Sequence, residues 1–307
     1  FATSSATFPI FLYKNNNLWL SCYGDGLSMF NGKQFTNYNT SNGLVNNHIR
    51  TLYINKDNKL FIGTQDGMSI LEGNTFRNFK KASTKKHKTP FQVMQFITKD
   101  NEDYVMTYRH GFYKYNKKNT AYLDSLTHIG SAFKYIEYQN KYIYGNAYGL
   151  YSDSIKPDFS NIKPLKNQLS EDITWDYKHI KNEVYMASWG VNHTLGGLIK
   201  YDGKSVQNLN KLFHINSNEV WTLYHDKESN ILWVGTIDNG LYLLDLSKKI
   251  KKESPEDFNL KEANILDIEV TNNTKWILCK NGLLKKEANK TTFFDSDYFK
   301  IKPTTTG

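Results

Sequence analysis

The sequence predicts an all-β fold, a single seven-bladed β-propeller of four-stranded antiparallel blades over residues 1–307, and three observations carry that expectation. A strand opened by an aromatic residue, followed by a short turn and a Gly-Leu or Gly-Met strand, recurs seven times at a mean spacing of about 43 residues, the period of a four-stranded blade. Aromatic residues make up 15% of the chain, with 21 Tyr and 18 Phe, a composition that favours strands. No long stretch repeats apolar residues at the 3.6 spacing of a helix.

The first two copies are the clearest. Leu18-Trp19-Leu20-Ser21-Cys22 leads through Asp25-Gly26-Leu27-Ser28-Met29-Phe30 to Gln34-Phe35, and Leu60-Phe61-Ile62-Gly63-Thr64 leads through Asp66-Gly67-Met68-Ser69-Ile70-Leu71 to Thr75-Phe76. Looser copies begin at Tyr104, Tyr142 and Tyr185, and sharper ones at Trp233 and Trp276. These limits divide the chain into blades of about 1–43, 44–86, 87–127, 128–168, 169–214, 215–260 and 261–303.

Within a blade the order is an inner strand such as Ile49 to Ile54, a turn at Asn55 to Asn58, the aromatic strand, the Gly-Leu strand and an outer strand such as Thr75 to Phe79. The Gly before Leu or Met is read as a turn residue with positive φ and not as a phosphate cradle. The aromatic anchors are read as packing between neighbouring blades. The first inner strand is expected near Thr7 to Tyr13. The last blade has its own outer strand near Thr291 to Phe294, so closure by side-chain packing is expected.

The formal charge of +9 comes mostly from lysines scattered through turns, which read as solvated faces and edge protection. The densest cluster, Lys80 to Lys88, lacks interleaved aromatics, so no nucleic-acid partner is expected. No run approaches the roughly 18 apolar residues of a membrane span, so no membrane insertion is expected. Cys22 and Cys279 occupy the same repeat position. Rotationally equivalent side chains point in the same sense around the ring, so both are expected to remain reduced.

Asn17-Leu18-Trp19-Leu20, Asp25-Gly26-Leu27-Ser28-Met29-Phe30-Asn31-Gly32, Gly43-Leu44, Asn47-His48-Ile49 and Leu232-Trp233-Val234-Gly235-Thr236 resemble the two-component-regulator propeller repeat. That repeat is found in the extracytoplasmic sensor regions of bacterial hybrid two-component systems. The resemblance is strong in blades one, two and six and looser in the others. It implies a periplasmic or extracytoplasmic sensor domain whose partners are the other domains of a larger signalling receptor.

Signatures of catalysis are scarce. There is no G-x-S-x-G elbow, no H-E-x-x-H pair and no phosphate-binding Gly-rich loop, so the expectation is a binding module without catalytic residues, metal site or cofactor. A propeller binds where inner-strand starts and second-to-third-strand turns gather at one mouth of the channel. Those turns supply Tyr23, Asp25, Arg109, His110, Asn146, Tyr148, Asp238 and Asn239, and the inner strands supply Arg50, Gln95, Trp175, Asp176, Trp221 and Asp267. Blade five departs from the repeat at Ser188 to Gly196, where Trp189, Asn192 and His193 could form a stacking and hydrogen-bonding lip.

The ligand-binding set is therefore Tyr23, Arg50, Arg109, Tyr148, Trp175, Trp189, Asn192, His193 and Trp221, a combination of flat faces and fixed donors suited to a polar ring. The expected function is sensing of a small molecule, an oligosaccharide or its breakdown product, with the sugar taken chiefly from the resemblance. Two rivals stand beside it: a platform for a partner protein or a homodimer, and a magnesium-dependent propeller lyase, which needs a His and carboxylate cluster at the mouth.

Overall fold

In the computed structural model, the described residues are 11–14, 17–22, 24–31, 33–80, 90–108, 110–115, 123–127, 134–139, 141–146, 149–154, 163–164, 172–190, 196–252, 264–271, 274–279, 282–287 and 290–295. They form seven four-stranded antiparallel sheets, each an up-and-down meander from one continuous stretch of chain. The only α-helix among them is the four-residue Asn210–Phe213. Sheet two shows the common plan: Ile49–Ile54 pairs with Leu60–Thr64, which pairs with Gly67–Glu72, which pairs with Thr75–Phe79.

The inner strands are Phe11–Lys14, Ile49–Ile54, Val93–Lys99, Lys134–Tyr138, Asp172–Ile180, Val220–Asp226 and Ile265–Thr271. Each lies against the inner strands of the sheets before and after it, and the seventh lies against the first. Residues 7–10 of the expected first inner strand fall outside the described residues.

Strand side chains alternate faces, so a sheet stacked between two others must be apolar on both, and the core is divided among the seams. Phe61, Met68 and Ile70 of sheet two pack on Val93, Phe96 and Tyr113 of sheet three, and Trp233 and Leu241 of sheet six pack on Ile265 and Ile277 of sheet seven. Leu18, Leu20 and Phe30 of sheet one meet Trp276 and Leu283 of sheet seven. Sheets one and seven share no paired strand, so their junction is held by this packing. The anchors Trp19, Phe61, Tyr185, Trp233 and Trp276 are all buried, whereas Tyr104 is half-buried.

The turn grammar has a polar component beyond glycine. The Thr64 hydroxyl donates to the Gly67 carbonyl at 2.8 Å, and the Thr236 hydroxyl makes the same bond to Gly240. Gly67 adopts φ +102°, and a Cβ there would lie 2.5 Å from the Phe79 carbonyl oxygen. Cys279 stands where sheets two and six have this threonine. It is buried and free, and burial pushes its thiol up to about 12. The side chain of Cys22 lies outside the described residues.

Candidate functional site at the channel mouth

Five inner strands carry a β-bulge at one shared repeat position. In sheet two Ile49 faces Thr64 and Thr51 faces Gly63, which makes Arg50 the extra residue of the bulge; the same register shift singles out Met94, Trp175, Trp221 and Leu266. A bulge turns the extra residue out of the sheet's alternation and re-aims its side chain. Arg50 and Trp221 are the second residues of their inner strands, and Trp175 is the fourth of its own.

The three tryptophans assemble into one cluster. Trp175 stacks on Trp221 with ring centroids 4.4 Å apart and planes at 24°, and Trp189 lies 6.0 Å from each of them at tilted angles. Trp221 is only 5% exposed, while Trp175 and Trp189 are half-buried. Trp221, expected from the sequence as a ligand contact, is thus largely enclosed, and its ring is the floor on which Trp175 rests. The second strand of sheet five, Glu183–Gly190, runs on past its pairing with Gly196–Tyr201 while Trp189 still pairs with Ile173 of the inner strand, and on its other edge Trp189 forms a bridge to Glu219, just before the inner strand of sheet six.

Arg50 is half-buried and its Nη2 donates to the Gln65 side-chain carbonyl at 2.9 Å, holding the guanidinium against the neighbouring turn of its own sheet. Tyr23, Arg109, Tyr148, Asn192 and His193 lie outside the described residues. His110 is buried, packs on Phe91 and pairs through Nε2 with the Pro90 carbonyl at 3.1 Å, so it braces its turn. Asn239 likewise braces its turn, accepting from Tyr242 and donating to the Asn216 carbonyl.

One residue past the bulge, the side chains tie neighbouring inner strands together. Gln95 donates to the Tyr135 carbonyl at 3.0 Å and accepts from its N–H at 2.7 Å, Asp176 accepts from the Leu223 N–H at 2.9 Å, and the Thr222 hydroxyl donates to Asp267 at 3.3 Å. Gln95, Asp176 and Asp267, read from the sequence as channel-lining, thus form a girdle whose hydrogen-bonding capacity is spent largely on the frame.

Below the girdle lies a charged group that sequence reasoning missed. Lys178 pairs with Asp176 at 3.2 Å; burial pulls its amine down, but the Asp176 and Asp267 carboxylates more than offset that and hold it above the usual lysine range. Burial lowers the amine of Lys134, against the pull of Asp176 and Asp267. Burial, reinforced by Asp267, pushes Glu269 up to about 7. The signal for Lys178 and Glu269 was available, since both pair with an aromatic anchor, Tyr185 and Trp276, and so occupy one repeat position. Among the described residues no three His, Cys, Asp or Glu side chains are grouped to hold a metal ion.

Solved structures show the same fold. The extracellular domain of the putative hybrid two component system BT4673 from B. thetaiotaomicron is 15% identical over 90% of this chain, with a TM-score of 0.52. The chain spans 39% of that structure's length. YCF48 bound to D1 peptide is 11% identical, with 92% of this chain and 95% of that one covered and a TM-score of 0.64. The WD40 β-propeller domain of Doa1 is 9% identical over 89% of this chain and 90% of its own, with a TM-score of 0.57. No family model and no curated relative matches the sequence. At these identities the likeness establishes a β-propeller fold. Among the described residues no helix is long and apolar enough to cross a membrane.

Proposed function

We propose that the seven sheets are the blades of one closed ring, and that the chain is a non-catalytic sensor domain of the two-component-regulator propeller family, working outside the cytoplasm as part of a larger receptor. Its ligand is an oligosaccharide or a breakdown product of one, and no cofactor takes part. The observation that carries the reading is the tryptophan cluster: a buried indole, Trp221, backs two half-buried ones, Trp175 and Trp189, and the bulge position that holds Trp175 and Trp221 carries Arg50, Met94 and Leu266 in other sheets. A rigid aromatic face beside fixed polar groups suits the apolar face and hydroxyl rim of a sugar ring. The likeness to an extracellular domain of a hybrid two-component system supports the setting.

A thermal-shift screen of saccharides tests it, since a ligand of the folded state alone raises the melting temperature by mass action. A sugar that stabilises the native chain but not Trp189→Ala supports the assignment. Equal stabilisation of both refutes it. The rival, a platform for a partner or second copy, draws on exposed Phe293 and Ile250 on the outer strands of sheets seven and six; self-association abolished by Phe293→Ser would favour it.

A further inference from the structure

Beside the tryptophan cluster, the connection between sheets five and six forms an open groove of about 710 Å³, lined by Asn210, Lys211, His214 to Glu219, and Asp238. The groove and the indoles are joined by backbone. Trp189 and Glu219 form an antiparallel bridge, which places directly opposed residues about 5 Å apart with their side chains on one face. Glu219 lines the groove, so the aromatic platform ends where the groove begins.

The groove is built on a pinned frame. Asn210 donates to the Ser217 carbonyl at 2.8 Å and accepts from the Leu198 N–H at 2.9 Å, tying the connection to sheet five. The Asn216 N–H donates to the Tyr242 hydroxyl at 3.0 Å, tying it to sheet six, and the Glu219 N–H donates to the Ser217 hydroxyl at 2.9 Å. Lys211 and His214 remain exposed, and Glu219 is half-buried. Walls held by their own hydrogen bonds lose little freedom when a ligand arrives.

We propose that the Trp175–Trp189 platform and this groove are two halves of one extended site, which takes a polyhydroxylated chain of two or more rings. One ring rests on the indoles, and the next units lie in the groove, where Lys211, His214 and Glu219 supply donors and acceptors to hydroxyl groups. A flat apolar surface and a polar groove of this size, side by side, cannot both be filled by one ring; groove volumes of about 300–1,000 Å³ are typical of small-molecule sites. This rests on the saccharide reading above and adds to it a direction and a minimum ligand length.

The test is calorimetric titration of the chain with monosaccharides and matched tetrasaccharides of defined series, using wild type, Trp189→Ala, Glu219→Gln, Lys211→Ala and His214→Gly. Glycine is chosen at His214 because its backbone sits at φ +52°. The tetrasaccharide is expected to bind at least tenfold more tightly than its monosaccharide. Each groove variant should remove most of that gain while leaving monosaccharide affinity within twofold, and Trp189→Ala should weaken both lengths about tenfold. Equal affinity for both lengths, or a length gain untouched by all three groove variants, overturns the extended site even if Trp189→Ala still weakens binding. Failure of every saccharide to bind overturns the saccharide reading itself, and the extension with it.

Discussion

The indole of Trp175 in sheet five lies face to face with that of Trp221 in sheet six, 4.4 Å between ring centroids, and both residues occupy the bulge of their inner strand. The bulge is what makes this contact: without it, each side chain would follow the regular alternation of its strand. The two rings have different burdens, because only Trp221 is fully enclosed.

Trp221→Ala is expected to destabilise the fold by about 3–5 kcal/mol, the usual cost of emptying a buried aromatic site. Trp189→Ala, at a half-exposed position, should cost no more than about 2 kcal/mol while weakening saccharide binding by about 1–3 kcal/mol. Urea unfolding alongside ligand titration separates the two. Equal stability losses would show that Trp189 is core and not platform.

Gly235 is needed for the approach of three strands. A Cβ there would lie 2.6 Å from both the Ile265 and Thr222 methyl groups, at the seam of sheets six and seven, and Gly63 meets Thr51 and Val93 in the same way. Gly235→Ala is therefore expected to lower the unfolding free energy by about 1–3 kcal/mol through overpacking. A neutral result in urea titration would mean that the seam is looser than the geometry requires.

Glu269 links stability to pH. Its folded value of about 7 lies above the ordinary 4.5, with burial the main cause and Asp267 the second. Between these values the folded state keeps a proton that the unfolded chain has lost. The contribution is thus fully present below about pH 4.5 and is lost as pH rises through 7, amounting to at most about 3 kcal/mol. Glu269→Gln should flatten this fall and be the more stable protein at pH 8. Parallel melting-temperature profiles for the two proteins between pH 4.5 and 8 would remove Glu269 as the cause.

Cys279 should resist alkylation in the native state, since its thiol is enclosed and pushed up to about 12. Iodoacetamide labelling followed by peptide mass spectrometry is expected to modify it only after unfolding. Rapid native labelling would place the side chain at the surface.

The plan of the sheets was legible in the chain because it is periodic. The inner strand Ile49–Ile54 and outer strand Thr75–Phe79 fall where the repeat puts them, and Trp19, Phe61, Trp233 and Trp276 are buried as anchors must be when each sheet packs on two neighbours. Period-two alternation and turn glycines act over a few residues, so they can be read locally.

What the residues do at the mouth was decided by the tertiary structure. Trp175, Trp189 and Trp221 could each be named from the sequence, but which ring is floor and which is surface depends on a bulge and on strands from two sheets. Gln95, Asp176 and Asp267 looked like channel polar groups, and their hydrogen bonds turned out to cross the seams. The groove at Asn210 to Glu219 carries no motif, and the charged pair Lys178 and Glu269, both acted on by the Asp176 and Asp267 carboxylates, comes from sheets five and seven. Contacts between residues far apart along the chain have no local signature, so only closure of the sheets upon one another brings such groups together.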